Sequence, residues 1–369
     1  MEHVSAPRSP GHWAPAALLA LLAACSDGGT EPPEGRVVAG VDLDALFADP
    51  EPAEIAAIAA EWAARSPHAA EVAIEKDTLV VAGDVVRVRI VSHDVGGVRH
   101  FGAILTIDGL VGPAPVLVYA HGGDDGVSIQ DVLFQFAFLS DAAGFVWVVP
   151  SFRGEPLSFA ANVWTSEGPP SPWDRDVDDA LSLLDVALAI EPEADADNVG
   201  VLGFSRGAGV GMLMGIRDPR IDRIVEFFGP TDFFGPFVQD VVQEALEGTP
   251  RDLPGVPVLD ETFVQPLSRG ELTIAQVRAE LVRRSAVLFA DRLPALQIHH
   301  GDADDVVEVS QAESLIAAMA VLGRSEPEFE SYIYVGGGHS PLTLSGSIPR
   351  AVDFLSELLG PAEAVRSGR

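Results

Sequence analysis

Ser205 stands between two glycines in Gly203-Phe204-Ser205-Arg206-Gly207, directly after the apolar run Asn198-Val199-Gly200-Val201-Leu202. A serine hydroxyl is a poor nucleophile on an ordinary surface. On a sharp strand-to-helix turn, glycines two residues either side let the backbone fold tightly and leave the hydroxyl exposed above a sheet. The helix that follows turns its N-terminus toward the site, where developing negative charge is favoured. Such a serine needs a base, and the base needs an acid to orient it. Of the nine histidines, His339 follows three glycines in Gly336-Gly337-Gly338-His339-Ser340, just past the last predicted strand. A loop of that composition can bring an imidazole over a neighbouring strand end. For the acid, Asp302, Asp304 and Asp305 follow the preceding strand at His299-His300-Gly301, and chemistry alone leaves the three open.

The elements that must carry these residues show in the hydrophobic pattern. Val85–Val91 and His100–Ile107 read as a hairpin around Asp94-Val95-Gly96-Gly97. Val116–Ala120 and Phe145–Val149 are near-continuous apolar runs, as expected of central parallel strands. Further strands are expected at the elbow, at Ile221–Phe228, Ala295–His299 and Phe329–Val335. Helical spacing recurs over residues 54–64, 177–188, 312–322 and 348–359. The expected architecture is α/β, a doubly wound and mostly parallel sheet with an antiparallel N-terminal hairpin. Residues 233–290 are too long for a connection and hold two helix-like segments, Phe237–Leu246 and Ile274–Arg284. They are expected to form a helical cap over the C-terminal edge of the sheet.

The chain has 369 residues, a hydrophobic content of 47% and a formal net charge of −32. Its mean hydropathy is +0.23, so a folded core is expected. Lys76 is the only lysine. A surface this acidic repels phosphate backbones and anionic lipid headgroups, which argues against nucleic-acid binding. His299, His300, Asp302, Asp304 and Asp305 are dense in metal-ligand types, but adjacent histidines on a strand point to opposite faces, and no metal is expected.

Two family resemblances follow from these residues. The apolar stretch Ala16–Ala24 ending in Leu22-Ala23-Ala24-Cys25 resembles a bacterial lipoprotein signal peptide. The resemblance implies cleavage before Cys25, the only cysteine, and a diacylglyceryl group on its sulfur. His3 and His12 would leave with residues 1–24, and residues 25–40, rich in Gly, Pro and acids, would be a flexible tether. The implied location is the bacterial cell envelope, with membrane contact only through the lipid. The n-region carries Glu2 and only Arg8 as a fixed positive charge, which is thin for an export signal.

Residues 41–369, most clearly from Val85 to Leu359, resemble an α/β-hydrolase of the prolyl oligopeptidase type. Leu293–Val307 with Gln311 is similar to that family's strand and acid loop, and Pro150-Ser151-Phe152-Arg153-Gly154 to its post-strand turn. The resemblance implies Asp304 as the acid, three residues after Gly301. Asp232 competes, because some α/β-hydrolases place the acid after the preceding strand. It also implies an oxyanion hole from the Arg206 N–H and a donor at Gly122 or Gly123 of the His121-Gly122-Gly123 turn, with His121 structural.

The implied reaction is cofactor-free cleavage of an ester, peptide or amide through Ser205, His339 and Asp304. The substrate would be a small-molecule ester or a short peptide. Arg206 replaces the family's usual aromatic after the serine, and the chain has no room for the β-propeller that restricts larger members to peptides. Both favour esters. An aminopeptidase or dipeptidase, and a non-catalytic binding lipoprotein on the same scaffold, are the rivals. Trp164, Trp173, Phe233, Phe234 and Phe237 are the aromatic candidates for a substrate pocket.

Overall fold

A computed structural model describes residues 35–65, 67–138 and 144–359, with the side chains of 136–138 left aside; the expected signal peptide, Cys25 and most of the tether lie outside the described residues. From Arg36 onward the chain forms one compact unit. Its centre is a nine-stranded sheet. In chain order the strands are β1 (Ala70–Ala82), β2 (Asp84–Val95), β3 (Val98–Ile107), β4 (Ala114–Ala120) and β5 (Val146–Pro150), then β6 (Ala194–Phe204), β7 (Ile221–Phe227), β8 (Ala295–Gly301) and β9 (Phe329–Tyr334). Their spatial order is β9-β8-β7-β6-β4-β5-β3-β2-β1. The pairs from β5 through β9 are parallel. Those joining β1, β2, β3 and β5 are antiparallel.

The expected hairpin is β2–β3, closed by Gly96 and Gly97 with φ of +61° and +82°, angles that glycine adopts freely. It has a third member that the sequence pattern hid. β1 lies on the open edge of the sheet, mostly exposed, and its pairing with β2 shifts register twice. Its first six residues are exposed on both faces and only Val80 and Ala82 pack against the second core, so its apolar residues did not read as a strand.

Alternate residues of the central strands enter two cores. Val116 and Val118 of β4 face one, and Leu117 and Tyr119 face the other. The first core is covered by α3 (Arg175–Ile190), α4 (Arg206–Arg217) and α7 (Ser310–Val321). The second lies under α2 (Ile129–Phe138), which the sequence reading missed, and α8 (Ser347–Ser356). α1 (Pro52–Ala64) precedes the sheet and joins the first core through Ile58 and Trp62. Residues 233–290 hold α5 (Pro236–Leu246) and α6 (Ile274–Arg284), close to the expected segments. Among the described residues no helix is long and apolar enough to cross a membrane.

From β4 the chain passes to β5 on one side and then to β6 on the other. The connections after β4 and β6 therefore leave in opposite directions and open a crevice at the strand ends. The residues singled out by the sequence converge there. Beside it, Glu226 of β7 is fully buried; one carboxylate oxygen accepts the Gly229 N–H at 2.9 Å and the other has no hydrogen-bond partner. Burial pushes its pKa up to about 8, against the opposing hydrogen bond.

The folded protein thus retains a proton on Glu226 that the unfolded chain releases above its ordinary carboxylate pKa. Stability from this group is complete below that value and falls as pH rises toward 8. Chemical denaturation should show Glu226→Gln losing less stability than the parent between pH 5 and pH 8; identical slopes would show that Glu226 is not protonated in the fold.

Candidate active site

Ser205 joins β6 to α4 with φ +52° and ψ −121°, a backbone conformation that a residue with a side chain rarely adopts. The strain is held by close contacts that only glycine permits. A Cβ on Gly203 would meet Ala208 Cα at 2.6 Å, and one on Gly207 would overlap the Ala120 and His121 carbonyls. The Ser205 N–H donates to the Phe227 carbonyl at 2.9 Å, while its carbonyl accepts from Ala208 at 3.0 Å and Gly209 at 3.3 Å. The elbow is pinned from both sides.

The loop after β4 passes directly in front of it. A Cβ on Gly122 would lie 3.1 Å from Ser205 Cβ, and Gly123 has φ +75°. His121 is buried and stacks on Phe152 with ring centroids 4.5 Å apart. Burial lowers its pKa to about 4, so it is neutral, as a structural residue of the turn would be.

Asp304 and His339 meet across two loops. Asp304 Oδ2 lies 2.8 Å from His339 Nδ1, and Oδ1 accepts the Val306 and Val307 N–H groups at 2.9 and 3.0 Å. With Nδ1 donating to Asp304, Nε2 of a neutral imidazole is left as the acceptor. Burial raises the carboxyl pKa, but the hydrogen bonds from His339 and the two amides outweigh it, and Asp304 is held below its ordinary value. The glycines before His339 have separate tasks. Gly336 takes φ +73°, and Gly337 crosses so close to Gly301 that a Cβ on Gly301 would overlap the Gly337 carbonyl. Phe228 packs on the imidazole with ring centroids 4.2 Å apart. Ser205, His339, Gly122 and Gly123 open onto one cavity.

The other carboxylates are engaged elsewhere. Asp232 accepts the Phe234 N–H at 2.9 Å, and Asp302 accepts the Gly336 N–H at 2.6 Å. His299 and His300 are both buried and face apart. His299 bonds Gln297 and Tyr334, and His300 bonds the Val307 carbonyl. Among the described residues no three His, Cys, Asp or Glu side chains are placed to hold a metal ion.

No protein-family model and no curated protein matches this sequence. Solved structures do. The chain is similar to acetyl xylan esterase 1 from Thermoanaerobacterium sp., at 18% identity, over 87% of this chain and 99% of that one, with a TM-score of 0.58. It is also similar to an acetyl xylan esterase from Paenibacillus sp. R4, at 15% identity, covering 86% and 96%, with a TM-score of 0.54. An S-formylglutathione hydrolase from Agrobacterium tumefaciens matches at 16% identity, covering 78% and 99%, with a TM-score of 0.50. The fold is that of the α/β-hydrolases.

Within this α/β-hydrolase fold the side chain of Arg206 does what the sequence did not reveal. Sequence reasoning assigned only its backbone N–H. Its guanidinium is buried under the elbow, ion-paired with Asp176 at 2.8 Å and with Glu155, and 5.0 Å from the Phe152 ring centre. It also donates to the Gly123 carbonyl at 3.3 Å. Trp173 Nε1 donates to the Arg206 carbonyl at 3.1 Å. The arginine therefore ties the elbow to the glycine turn opposite. Burial pushes Glu155 up to about 7 and raises Asp176 too, against the pull of Arg206; Asp179, paired with Arg153, reaches about 7. The only signal for this cluster in the sequence is the density of acids in Asp174-Arg175-Asp176-Val177-Asp178-Asp179.

The aromatic candidates divide. Trp173, Phe233 and Phe237 line a second cavity that reaches Ser205, whereas Phe234 packs under Arg278 and Trp164 lies against the second core.

Arg206→Met would leave Asp176 and Glu155 buried without their cation, a loss expected to cost about 3–5 kcal/mol. Urea denaturation at pH 8 measures it. A loss below about 1 kcal/mol would mean that the arginine does not anchor the elbow.

Proposed function

We propose that this protein is a serine hydrolase that cleaves carboxylic esters through an acyl-enzyme, with Ser205 as nucleophile, His339 as base and Asp304 as the orienting acid. The observation that carries the reading is the Asp304–His339 hydrogen bond. It fixes the imidazole tautomer so that Nε2 is the acceptor, in a cavity shared with a serine on a strained elbow. The hydrolases and esterases among the structural neighbours agree with it.

Ser205 Oγ attacks the ester carbonyl carbon as His339 Nε2 takes the hydroxyl proton. The tetrahedral oxyanion is held by the Arg206 N–H and by the amide of Gly122 or Gly123. The C–O bond to the alcohol breaks as the imidazolium returns its proton to the leaving oxygen. Water, deprotonated by His339, then attacks the acyl-enzyme, and the acid leaves with Ser205 restored. Asp304 stays ionised throughout and stabilises the imidazolium. Residues 233–290 act as the cap. Cleavage before Cys25 and lipidation of its sulfur would tether the enzyme to the cell envelope.

A fluorophosphonate probe should label the full chain, and Ser205→Ala should abolish labelling. The same change should lower hydrolysis of p-nitrophenyl butyrate by about 10³-fold or more, with Asp304→Asn close behind. An active Ser205→Ala protein with unchanged melting would refute the reading. For the tether, Cys25→Ser should move the protein from the membrane pellet to the soluble fraction of a bacterial host; a variant that still pellets would show that Cys25 is not the anchor.

A further inference from the structure

Two separate cavities reach Ser205, and only one of them contains His339. The first, of about 90 Å³, runs beneath residues 233–284 and is walled by carbon from side chains such as Phe233, Phe237, Val241, Leu259, Phe263 and Leu281. The second, of about 1020 Å³, is bounded by Gly122, Gly123 and His339, with Tyr119, Phe204, Phe228 and Leu342 among its walls. Leu253, Pro254 and Val306 line both, as Ser205 itself does.

The chemistry assigns each cavity its half of the substrate. When the tetrahedral intermediate collapses, His339 gives its proton to the departing oxygen, so the alcohol must lie on the His339 side. The acyl group stays bonded to Ser205 and must leave the intermediate on the other side, toward the 90 Å³ cavity. A water needs roughly 10–15 Å³ by this measure, so the acyl cavity has room for roughly six to nine groups of methylene size. The alcohol cavity is at the upper end of the range for drug-sized ligands, roughly 300–1,000 Å³.

The charged groups that reach the acyl cavity are paired or hydrogen-bonded, whereas the alcohol cavity keeps one exposed carboxylate, Asp252. Asp260, Glu280, Arg284 and Arg206 reach the acyl cavity, and each is engaged. Asp260 accepts from Gln265 at 2.9 Å, and Glu280 accepts from Arg284 at 2.7 Å and from Arg283. Arg284 also donates to the Pro172 carbonyl at 2.9 Å. In the alcohol cavity the Tyr119 hydroxyl accepts from Gln135 at 3.1 Å and keeps its own proton to donate, and Asp252 is exposed.

Resting on the serine-hydrolase reading above, we propose that the substrates are esters joining a medium-length aliphatic acid, of about six to eight carbons, to a bulky apolar alcohol. Each buried methylene adds about 0.8 kcal/mol, or roughly fourfold, so selectivity for acyl length should be steep until the cavity is full. The walls of the wide cavity are mostly apolar, so a hydroxylated alcohol would find few partners beyond Tyr119, Gln135, Asp252 and Ser340, and an apolar one is favoured.

The test is kcat/KM of the full chain on p-nitrophenyl esters from acetate to palmitate, then on methyl, benzyl and glyceryl octanoate. The expected profile rises at least 50-fold from acetate to hexanoate or octanoate and falls again by palmitate, with benzyl octanoate at least 10-fold better than the methyl and glyceryl esters. Val241→Phe should shift the optimum to shorter acids and Leu259→Ala to longer ones, each read as a ratio between acyl lengths in protein that takes up the fluorophosphonate. A profile that peaks at acetate, is flat, or favours the glyceryl ester overturns the assignment while leaving the serine hydrolase intact. Failure to hydrolyse any ester together with failure to label would instead remove the reading on which it rests.

Discussion

The site depends on one backbone crossing. Ser205 holds a left-handed conformation only because β6, α4 and the turn after β4 approach more closely than side chains allow. Gly203 lets α4 fold back on its own strand, Gly207 lets the Ala120–His121 backbone slide beneath, and Gly122 lets that turn pass the serine. The strain at one residue is of order 1–3 kcal/mol and persists because the surroundings over-determine it.

Arg206 stiffens it. A cation buried with two carboxylates is a poor source of net stability, because desolvating three charges costs about as much as their attraction returns. Its value lies in direction. The guanidinium reaches Asp176 on α3 and Glu155, both on the connection from β5 to β6, and the Gly123 carbonyl after β4, so two connections share one rigid donor on the elbow itself. Neighbouring pairs extend the arrangement: Arg153 with Asp179, and Arg217 with Asp178. Much of the acidic excess near α3 is therefore internal bracing, with the helix N-terminus favouring its carboxylates.

Asp304 and His339 are held by loops whose backbones touch at Gly301 and Gly337, and Asp304 accepts the N–H groups of Val306 and Val307, which also line the smaller cavity. The smaller cavity is built mainly from the 233–284 segment, with Trp173 also in its lining.

The sequence by itself determined the elbow, the parallel strands, α5 and α6, and the choice of His339, because each leaves a local mark. Apolar runs, helical spacing and glycines around a reactive side chain are all read within a few residues. Asp304 was reached through a family resemblance, since three neighbouring carboxylates look alike until one is within 2.8 Å of an imidazole. Only the tertiary structure decided the rest. The edge strand β1 and the helix α2 lacked a clean pattern, the acids of α3 gave no sign of their burial, and Arg206 showed its amide but not the reach of its side chain. Burial and ion pairing are properties of what the fold brings alongside a residue, and the partners here lie 30 and 51 positions away along the chain.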